Sequence, residues 1–460
     1  MGIPTTIVTR AGFEGIVSNA FAGYGFPAEA PVTYIFPTEM FQVGSDLTPI
    51  EEHFDEFIKG LTDWEPQTKE LGIIEPDMIE VESSSWHEAY KTVNNIFARN
   101  LWKDSLAIEP PTAETVDWIL TGTDMSPDDV LAETVPPRGG ILTVRAAAIA
   151  LAMAGGRPEY LPIMIAAATA VAAPAAGMQN WNSTTNSVFP AFVVNGPMAK
   201  EIRLGSGYGC LGADPVHPAG QILGRAIRLI QQNLGGAIPG TGTMAIFGAN
   251  RTCNVFFAED DEGVPEGWTT LAEDRGFKRS QTVVTVTYVN SMVNVVWDFG
   301  SAEANENCLT QLAGVMASPN NGRLRGMSKP NPDNKDYSCG IAILPRAFAG
   351  ALKDLNGYTK ADIKNILWEK TKVDWDTFIS WGGNTKAASI MPYEGGLVPM
   401  SAIPEQVTFV IGGGDQSGHG FWMQPCSFGD ISSCEAVRPK NWDELLLDAE
   451  IDLGPAPASR

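Results

Sequence analysis

The chain has 460 residues, of which 44% are hydrophobic and 18% are charged, and its formal net charge is −23 at pH 7. A strongly acidic protein repels phosphate backbones and anionic lipid headgroups, which argues against nucleic acid and membrane surfaces as partners. The length suffices for two or three domains, and the scattered glycines and prolines form no low-complexity segment.

The first residues and the cysteines indicate a cytoplasmic protein. Residues 1–8 read as a strand and lack the basic and apolar regions of a secretory signal. The apolar stretch 141–176 is interrupted by Arg157, Pro158 and Glu159, which favours two buried helices over a membrane span. Six cysteines without a C-x-x-C spacing predict neither a disulfide framework nor a zinc site.

Residues 1–62 are predicted to form half of a flavodoxin-like parallel α/β unit. Strands are expected at 4–9 and 32–36, and helices at 12–22 and 48–61. Two strands are too few for a stable parallel sheet, so another segment must complete it. Residues 63–84 are expected to be a linker.

Residues 85–460 are expected to form one large catalytic region, with helices first and mixed elements after about residue 177. Helices are predicted at 86–103, 112–120, 126–133, twice within 141–176, and at 215–234 and 360–371. Strands are predicted at 189–194, 244–247, 253–258, 281–288, 294–298, 341–344 and 406–411. The predicted fold class is therefore α/β, with an incomplete N-terminal parallel unit, a helical segment and a mixed α/β C-terminal region.

The Gly-rich segment 204–218, which precedes a predicted helix, is the leading candidate for a substrate site. Gly205, Gly207 and Gly209 let the backbone approach a ligand closely, and amides at the helix N-terminus favour an anion. A thiol in such a setting can have a lowered pKa, which makes Cys210 a candidate catalytic residue together with His217. The alternative is a tight turn with a buried, inert Cys210.

A second Gly-rich segment, 412–419, leaves the predicted strand 406–411. Ligands of open α/β folds lie at the carboxyl ends of strands, which makes His419 a candidate acid or base. A plain surface turn is the alternative.

Four further residues are weaker candidates. Asn186 and Asn195 flank a predicted strand and could orient a polar substrate, or form Asx turns and caps instead. Arg138 lies in a Gly/Pro turn and is a candidate carboxylate anchor, although pairing with an acid is an equally ordinary use. Glu259 and Glu262 bound an acidic run that could bind a divalent metal or be a solvated turn.

Several segments together resemble the UGSC-like family, named for its motif of selenocysteine or cysteine, glycine, serine and cysteine. Residues 2–8 (Gly-Ile-Pro-Thr-Thr-Ile-Val) and 43–49 (Val-Gly-Ser-Asp-Leu-Thr-Pro) resemble the second half of its small domain. The rest resembles the large companion region, on residues 136–140, 153–162, 194–197, 205–212, 224–230, 257–262 and 412–419. The family is distantly similar to thiol-reducing components of glycine-reductase-type systems.

The resemblance implies a thiol-dependent enzyme that cleaves or transforms a carbon–heteroatom bond of a small polar or carboxylate-bearing molecule. The family's Cys-Gly-Ser-Cys element precedes the strand at which this chain begins. The resemblance therefore implies either a small partner subunit that carries this element in a hetero-oligomer, or a truncated chain. Two other classes stay open: a metal-dependent hydrolase, hydratase or lyase, and a non-catalytic scaffold subunit. The protein is accordingly expected to use either no cofactor or a divalent metal.

Overall fold

The computed structural model describes residues 4–23, 26, 32–42, 44–64, 78–248, 254–319, 321, 331–382, 396–415, 418–426 and 429–455. Helices and strands occur together along the chain, in a parallel pair near the N-terminus and a larger mixed sheet. The predicted α/β class is confirmed. Most of the predicted linker, residues 65–77, lies outside the described residues.

The N-terminal unit comprises β1 (Thr6–Arg10), α1 (Glu14–Gly23), β2 (Val32–Phe36), α2 (Thr48–Glu51) and α3 (Phe54–Thr62). β1 and β2 pair in parallel, and among the described residues no third strand joins them. α3 packs on this pair, where the rings of Tyr34 and Phe57 lie 4.7 Å apart. The helix predicted at 48–61 is interrupted at Glu52 and His53, so it forms two short helices.

The next segment comprises α4 (Trp86–Arg99), α5 (Ala113–Leu120), β3 (Val130–Val135), β4 (Gly140–Thr143), α6 (Val144–Met153), α7 (Leu161–Ala172) and α8 (Met178–Trp181). Ser85, Thr112 and Thr143 cap α4, α5 and α6, because each side-chain oxygen accepts a hydrogen bond from a backbone N–H in the first turn. The prediction of a helix at 126–133 is wrong. Residues 126–129 form a turn closed by Asp129, and the following residues pair as the β3–β4 hairpin.

The remaining strands are β5 (Phe189–Asn195), β6 (Val255–Ala258), β7 (Thr282–Val296), β8 (Ile341–Leu344), β9 (Val373–Asp374), β10 (Leu397–Val398), β11 (Thr408–Ile411), β12 (His419–Pro425) and β13 (Ser432–Ala436). The remaining helices are α9 (Pro197–Glu201), α10 (Ala219–Asn233), α11 (Leu271–Asp274), α12 (Ala302–Met316), α13 (Arg346–Asn356), α14 (Lys360–Lys370), α15 (Trp375–Ser380) and α16 (Trp442–Leu453). Short 3-10 helices lie at Thr38–Phe41, Pro158–Tyr160, Pro174–Ala176 and Pro404–Gln406.

Seven strands form the main sheet in the order β11-β8-β12-β7-β5-β6, and β13 pairs with β7. β5 is parallel to β6 and β8 is parallel to β11, whereas the other pairs are antiparallel. The strands predicted at 281–288 and 294–298 are one continuous strand, β7, and the strand predicted at 244–247 does not form. The sheet curls, because the N–H of Asp260 after β6 donates to the carbonyl of Ile411 in β11 (2.9 Å).

The curl gives the sheet an inner and an outer face. Successive residues of β5 alternate between these faces. Ala191 and Val193 pack on the inner face with Phe257 and Ile343, whereas Phe192 and Val194 pack on the outer face. Helices α6, α7 and α10 cover the outer face of β5, β6 and β7, and α12, α13 and α14 cover β8, β11 and β12. The carboxyl ends of β6 and β11 meet where the curl closes.

No single helix in the described part of the chain is long and apolar enough to span a membrane. One bent pair of helices, Pro158–Ala172 and Pro174–Trp181, has the length and composition of a membrane span, with an angle of 67° between the two helices. Most side chains of α7 within this pair are buried in the core.

Candidate functional site

The two Gly-rich segments lie against each other at the carboxyl ends of β6 and β11. We call residues 204–218 the first loop and residues 412–415 the second loop. The N–H of Gly413 donates to the carbonyl of Ser206 (2.8 Å), and the N–H of Ala258 donates to the carbonyl of Gly205 (2.9 Å). Two segments 200 residues apart therefore form one surface. Residues 416 and 417 lie outside the described part.

Backbone conformation and close packing explain several glycines of the two loops. Gly209 and Gly413 have φ angles of +73° and +88°, which other residues rarely adopt. A Cβ atom at Gly414 would overlap the ring of Tyr208. A Cβ atom at Gly205 would lie 3.4 Å from the Cα of Cys210 and 3.5 Å from the Cβ of His217. The abundance of glycine therefore does not by itself require a ligand.

His217 forms a close pair with Asp214 at the end of the first loop. Its Nδ1 lies 2.6 Å from Asp214 Oδ2, and each side chain is 23% exposed. The hydrogen bond with His217 lowers the pKa of Asp214, assisted by the N–H of Val216. An aspartate on Nδ1 favours the tautomer that leaves Nε2 free to accept a proton. The pair is thus a base with its orienting carboxylate, directly before α10.

Cys210 lies beside this pair but is not a thiolate at neutral pH. Burial raises the pKa of its thiol to about 11, against the opposing effect of the N–H groups of Gly413 and Leu211. The side chain packs with Leu211 against the inner core of the sheet. The lowered pKa expected from the sequence is therefore wrong. The reason is burial, which outweighs the N–H groups around the sulfur.

The side chain of Glu259 connects the ends of three strands by hydrogen bonds. Its Oε2 accepts from Asn195 Nδ2 and from the N–H of Leu271, both at 2.7 Å, and its Oε1 accepts from the N–H of Ile411 at 3.1 Å. The side chain is buried, and burial raises the pKa of Glu259 while the charge of Lys360 lowers it. Glu259 thus fixes β11 immediately before the second loop. It does not belong to a solvated turn.

Of the other three acids of the run 259–262, Asp260 and Glu262 have partners of their own, and Asp261 shares Asn195 with Glu259. Asp260 accepts two hydrogen bonds of 2.7 Å from Arg346, and Glu262 pairs with Lys200 at 2.6 Å. Asp261 accepts from Asn195 Nδ2 and from the N–H of Gly196, both at 2.7 Å. The described residues contain no group of three or more His, Cys, Asp or Glu side chains that could hold a metal ion. The metal predicted at Glu259 and Glu262 therefore lacks support, because their carboxylates do not converge.

Asn186 and Arg138 lie far from the two loops. Asn186 precedes β5 and Asn195 ends it, and a seven-residue strand spans about 20 Å, so one small substrate cannot contact both. Arg138 packs along Gly236, beyond the carboxyl end of α10, and this 15-residue helix separates it by about 22 Å from His217. Of the predicted substrate-binding residues, only those of the first loop lie on this surface. Asn195 is buried, and its amide is bound to Glu259, Asp261 and the N–H of Ala272.

His419 occupies a different position from the one predicted. It is exposed at the start of β12, opposite Val296, and its Nδ1 lies 3.3 Å from Asn294 Nδ2. Among the described residues no hydrogen bond or ion pair joins it to either loop. The residue that sequence reasoning overlooked is Asp214, whose spacing of three residues before His217 at a helix start was a readable signal.

Comparisons with family models, with curated proteins and with solved structures gave no match. The resemblance to the UGSC-like family therefore stays a prediction.

Proposed function

We propose that the chain is a thiol-dependent enzyme whose active site lies between the first and second loops. One observation carries this proposal: His217, which is paired with Asp214, and Cys210 both lie next to Gly205, where a Cβ atom would be 3.5 Å from the Cβ of His217 and 3.4 Å from the Cα of Cys210. A thiol, an imidazole and a carboxylate that orients the imidazole are the parts of a base-activated nucleophile.

The proposed roles follow from the local chemistry. Cys210 rests as a neutral thiol because of burial, so a base must take its proton before it reacts. His217 Nε2 takes this proton, and Asp214 holds the ring and stabilises the imidazolium. The backbone amides of the first loop bind the anionic end of the substrate. His217 thereby takes the acid–base role that the sequence assigned to His419.

The proposed substrate is a small polar or carboxylate-bearing molecule, and the proposed reaction breaks or alters a carbon–heteroatom bond. Free thiols at Cys210, Cys308 and Cys434 support a reducing, cytoplasmic location. A panel of small hydroxy-, amino- and thio-carboxylates, incubated with the full chain and a dithiol and followed by NMR, tests this. We expect turnover that His217→Ala and Cys210→Ser abolish, whereas His87→Ala, at an exposed histidine of α4, retains it. Turnover that survives both loop substitutions would contradict the proposal.

A second candidate is a scaffold subunit, which the open N-terminal sheet favours. In the described part β1 and β2 have no further strand, and Val8 and Ile35 are 40% and 47% exposed. A cavity of about 310 Å³ beside β2 is lined by Tyr34, Glu56, Lys59, Gly60, Asp63 and Trp64. A small partner that adds strands to this pair, such as the expected Cys-Gly-Ser-Cys subunit, would complete the sheet. Turnover by the chain alone would exclude the purely scaffolding role.

A further inference from the structure

Two buried polar side chains in the middle of α10 carry atoms that form no hydrogen bond to the described residues. Arg228 is 7% exposed and Gln231 is 1% exposed. Within the described chain, Arg228 Nη1 and both amide atoms of Gln231 form no hydrogen bond. Residues three apart on a helix lie on the same face, so both side chains leave α10 on one side. Unpaired buried polar atoms are costly and therefore uncommon in native proteins.

Among the described residues, no carboxylate forms an ion pair with Arg228. Its Nη2 donates to two neutral oxygens, the carbonyl of Ala237 (2.9 Å) and Gln232 Oε1 (3.4 Å). Asp104, whose charge acts on Arg228, already accepts two hydrogen bonds of 2.8 Å from Arg225. Burial lowers the pKa of Arg228 to about 10, against the opposing charge of Asp104. A buried positive charge whose hydrogen-bond partners are all neutral is costly unless an anion neutralises it.

The loop of residues 235–243 covers this part of α10. The N–H of Ala237 donates to the carbonyl of Gln231 (3.0 Å), and the side chain of Arg138 lies along Gly236. Arg138 and Arg228 therefore both contact this loop, whereas Arg225, about one turn before Arg228 on α10, binds Asp104. The guanidinium of Arg228 is a suitable partner for a small anion.

We propose that Arg228 and Gln231 bind a small carboxylate that also carries a hydroxyl or amino group. Arg228 Nη1 and the Gln231 amide nitrogen donate to the carboxylate, and the Gln231 amide oxygen accepts from the ligand's O–H or N–H. Neither amide atom of Gln231 bonds to the described residues, so either orientation of the amide offers the ligand one donor and one acceptor. Arg228 lies ten residues from the N-cap of α10, about 15 Å along the helix from His217, so this site is separate from the proposed active site.

The test measures ligand binding to the full chain by calorimetry and thermal unfolding. The probes are glycolate and glycine, which carry both groups, acetate, which lacks the donor, and inorganic phosphate, which supplies another oxyanion. We expect glycolate or glycine to bind more tightly than acetate and phosphate. Arg228→Met and Gln231→Leu should each weaken this binding about tenfold or more, because each removes a hydrogen bond to a charged group. Arg99→Met, at an exposed arginine of α4, should leave it unchanged.

Gln231→Glu provides a second variant that keeps the shape of the side chain. Its carboxylate would neutralise Arg228 from within the protein, so we expect a higher unfolding temperature and loss of glycolate and glycine binding. The proposal is overturned if none of the four probes raises the unfolding temperature of the wild-type chain, or if phosphate or acetate binds as tightly as glycolate and glycine. It is also overturned if Gln231→Glu destabilises the protein and leaves glycolate binding intact, or if a crystal grown with glycolate shows only water beside Arg228.

Discussion

Replacing Glu259 by alanine should destabilise the protein more than its position in an acidic run suggests. The substitution removes three hydrogen bonds to a buried carboxylate and leaves the N–H groups of Leu271 and Ile411 unpaired. Hydrogen bonds to charged groups contribute about 1.5–3 kcal/mol each, and breaking a buried charged contact costs about 3–5 kcal/mol in total. We therefore expect the free energy of unfolding to fall by about 3–5 kcal/mol. Because Ile411 precedes the second loop, this loop should also separate from the first.

Urea denaturation measures the loss of stability, and hydrogen exchange reports the local effect at Ile411 and Gly413. Glu262→Ala is the matched control, since Glu262 belongs to the same run but forms an exposed pair with Lys200. Exposed pairs contribute about 0–1 kcal/mol, so the control should change stability by no more than that. If Glu259→Ala and Glu262→Ala cost the same, or if exchange at Gly413 is unchanged in Glu259→Ala, Glu259 does not fix the second loop.

Three further predictions concern titration and reactivity. Glu259 has an unfolded pKa near its ordinary 4.5 and a raised folded pKa, so its contribution to stability is present below 4.5 and is lost as pH rises through the folded value. Urea denaturation across pH should show this loss in the wild type and not in Glu259→Gln; identical profiles would contradict the burial of this carboxyl. Cys210, with its pKa raised from 9.0 to about 11, should hold about a hundredfold less thiolate near pH 7 than an ordinary thiol. Its alkylation by iodoacetamide, followed by peptide mass spectrometry, should therefore be slow in the folded protein and fast in urea, and equal rates would refute the burial. Asp214 has a lowered pKa, so the stability it contributes is present above its unfolded pKa and is lost as pH falls through the folded value. Asp214→Asn should therefore lower the unfolding temperature by a small amount at pH 7 and by less at pH 3; an equal effect at both would argue against its pairing with His217.

Local patterns predicted local structure well. The β-branched run 32–36 and the parallel pairing of β1 with β2 followed from composition and spacing. The helix that follows the first loop, α10, was also predicted, although it begins at Ala219, four residues later than expected. Residues 126–133 were assigned to a helix because Ser-Pro-Asp-Asp is typical of a helix start, but here the same side chains close a turn.

The arrangement of the candidate site depends on contacts that no local pattern reveals. The contact between Gly413 and Ser206 requires the curl of the sheet, which brings β11 to β6 across 150 residues of sequence. The burial of Glu259 follows from the same closure, which the acidic run 259–262 does not reveal by itself. Arg228 and Gln231 were not predicted as site residues, because nothing in the sequence of the helix at 215–234 indicates that they are buried. Their burial depends on the loop 235–243, which folds back over α10.

The central claim is that His217 takes the proton of Cys210, and one measurement tests it directly. The rate of alkylation of Cys210 by iodoacetamide is measured from pH 6 to pH 11 in the wild type and in His217→Ala. We expect His217→Ala to slow the reaction about tenfold or more near pH 7, because the base is lost, and the two rates to converge near pH 11, where hydroxide removes the proton. Equal rates at every pH would show that the imidazole and the thiol act independently, and the proposed active site would then be wrong.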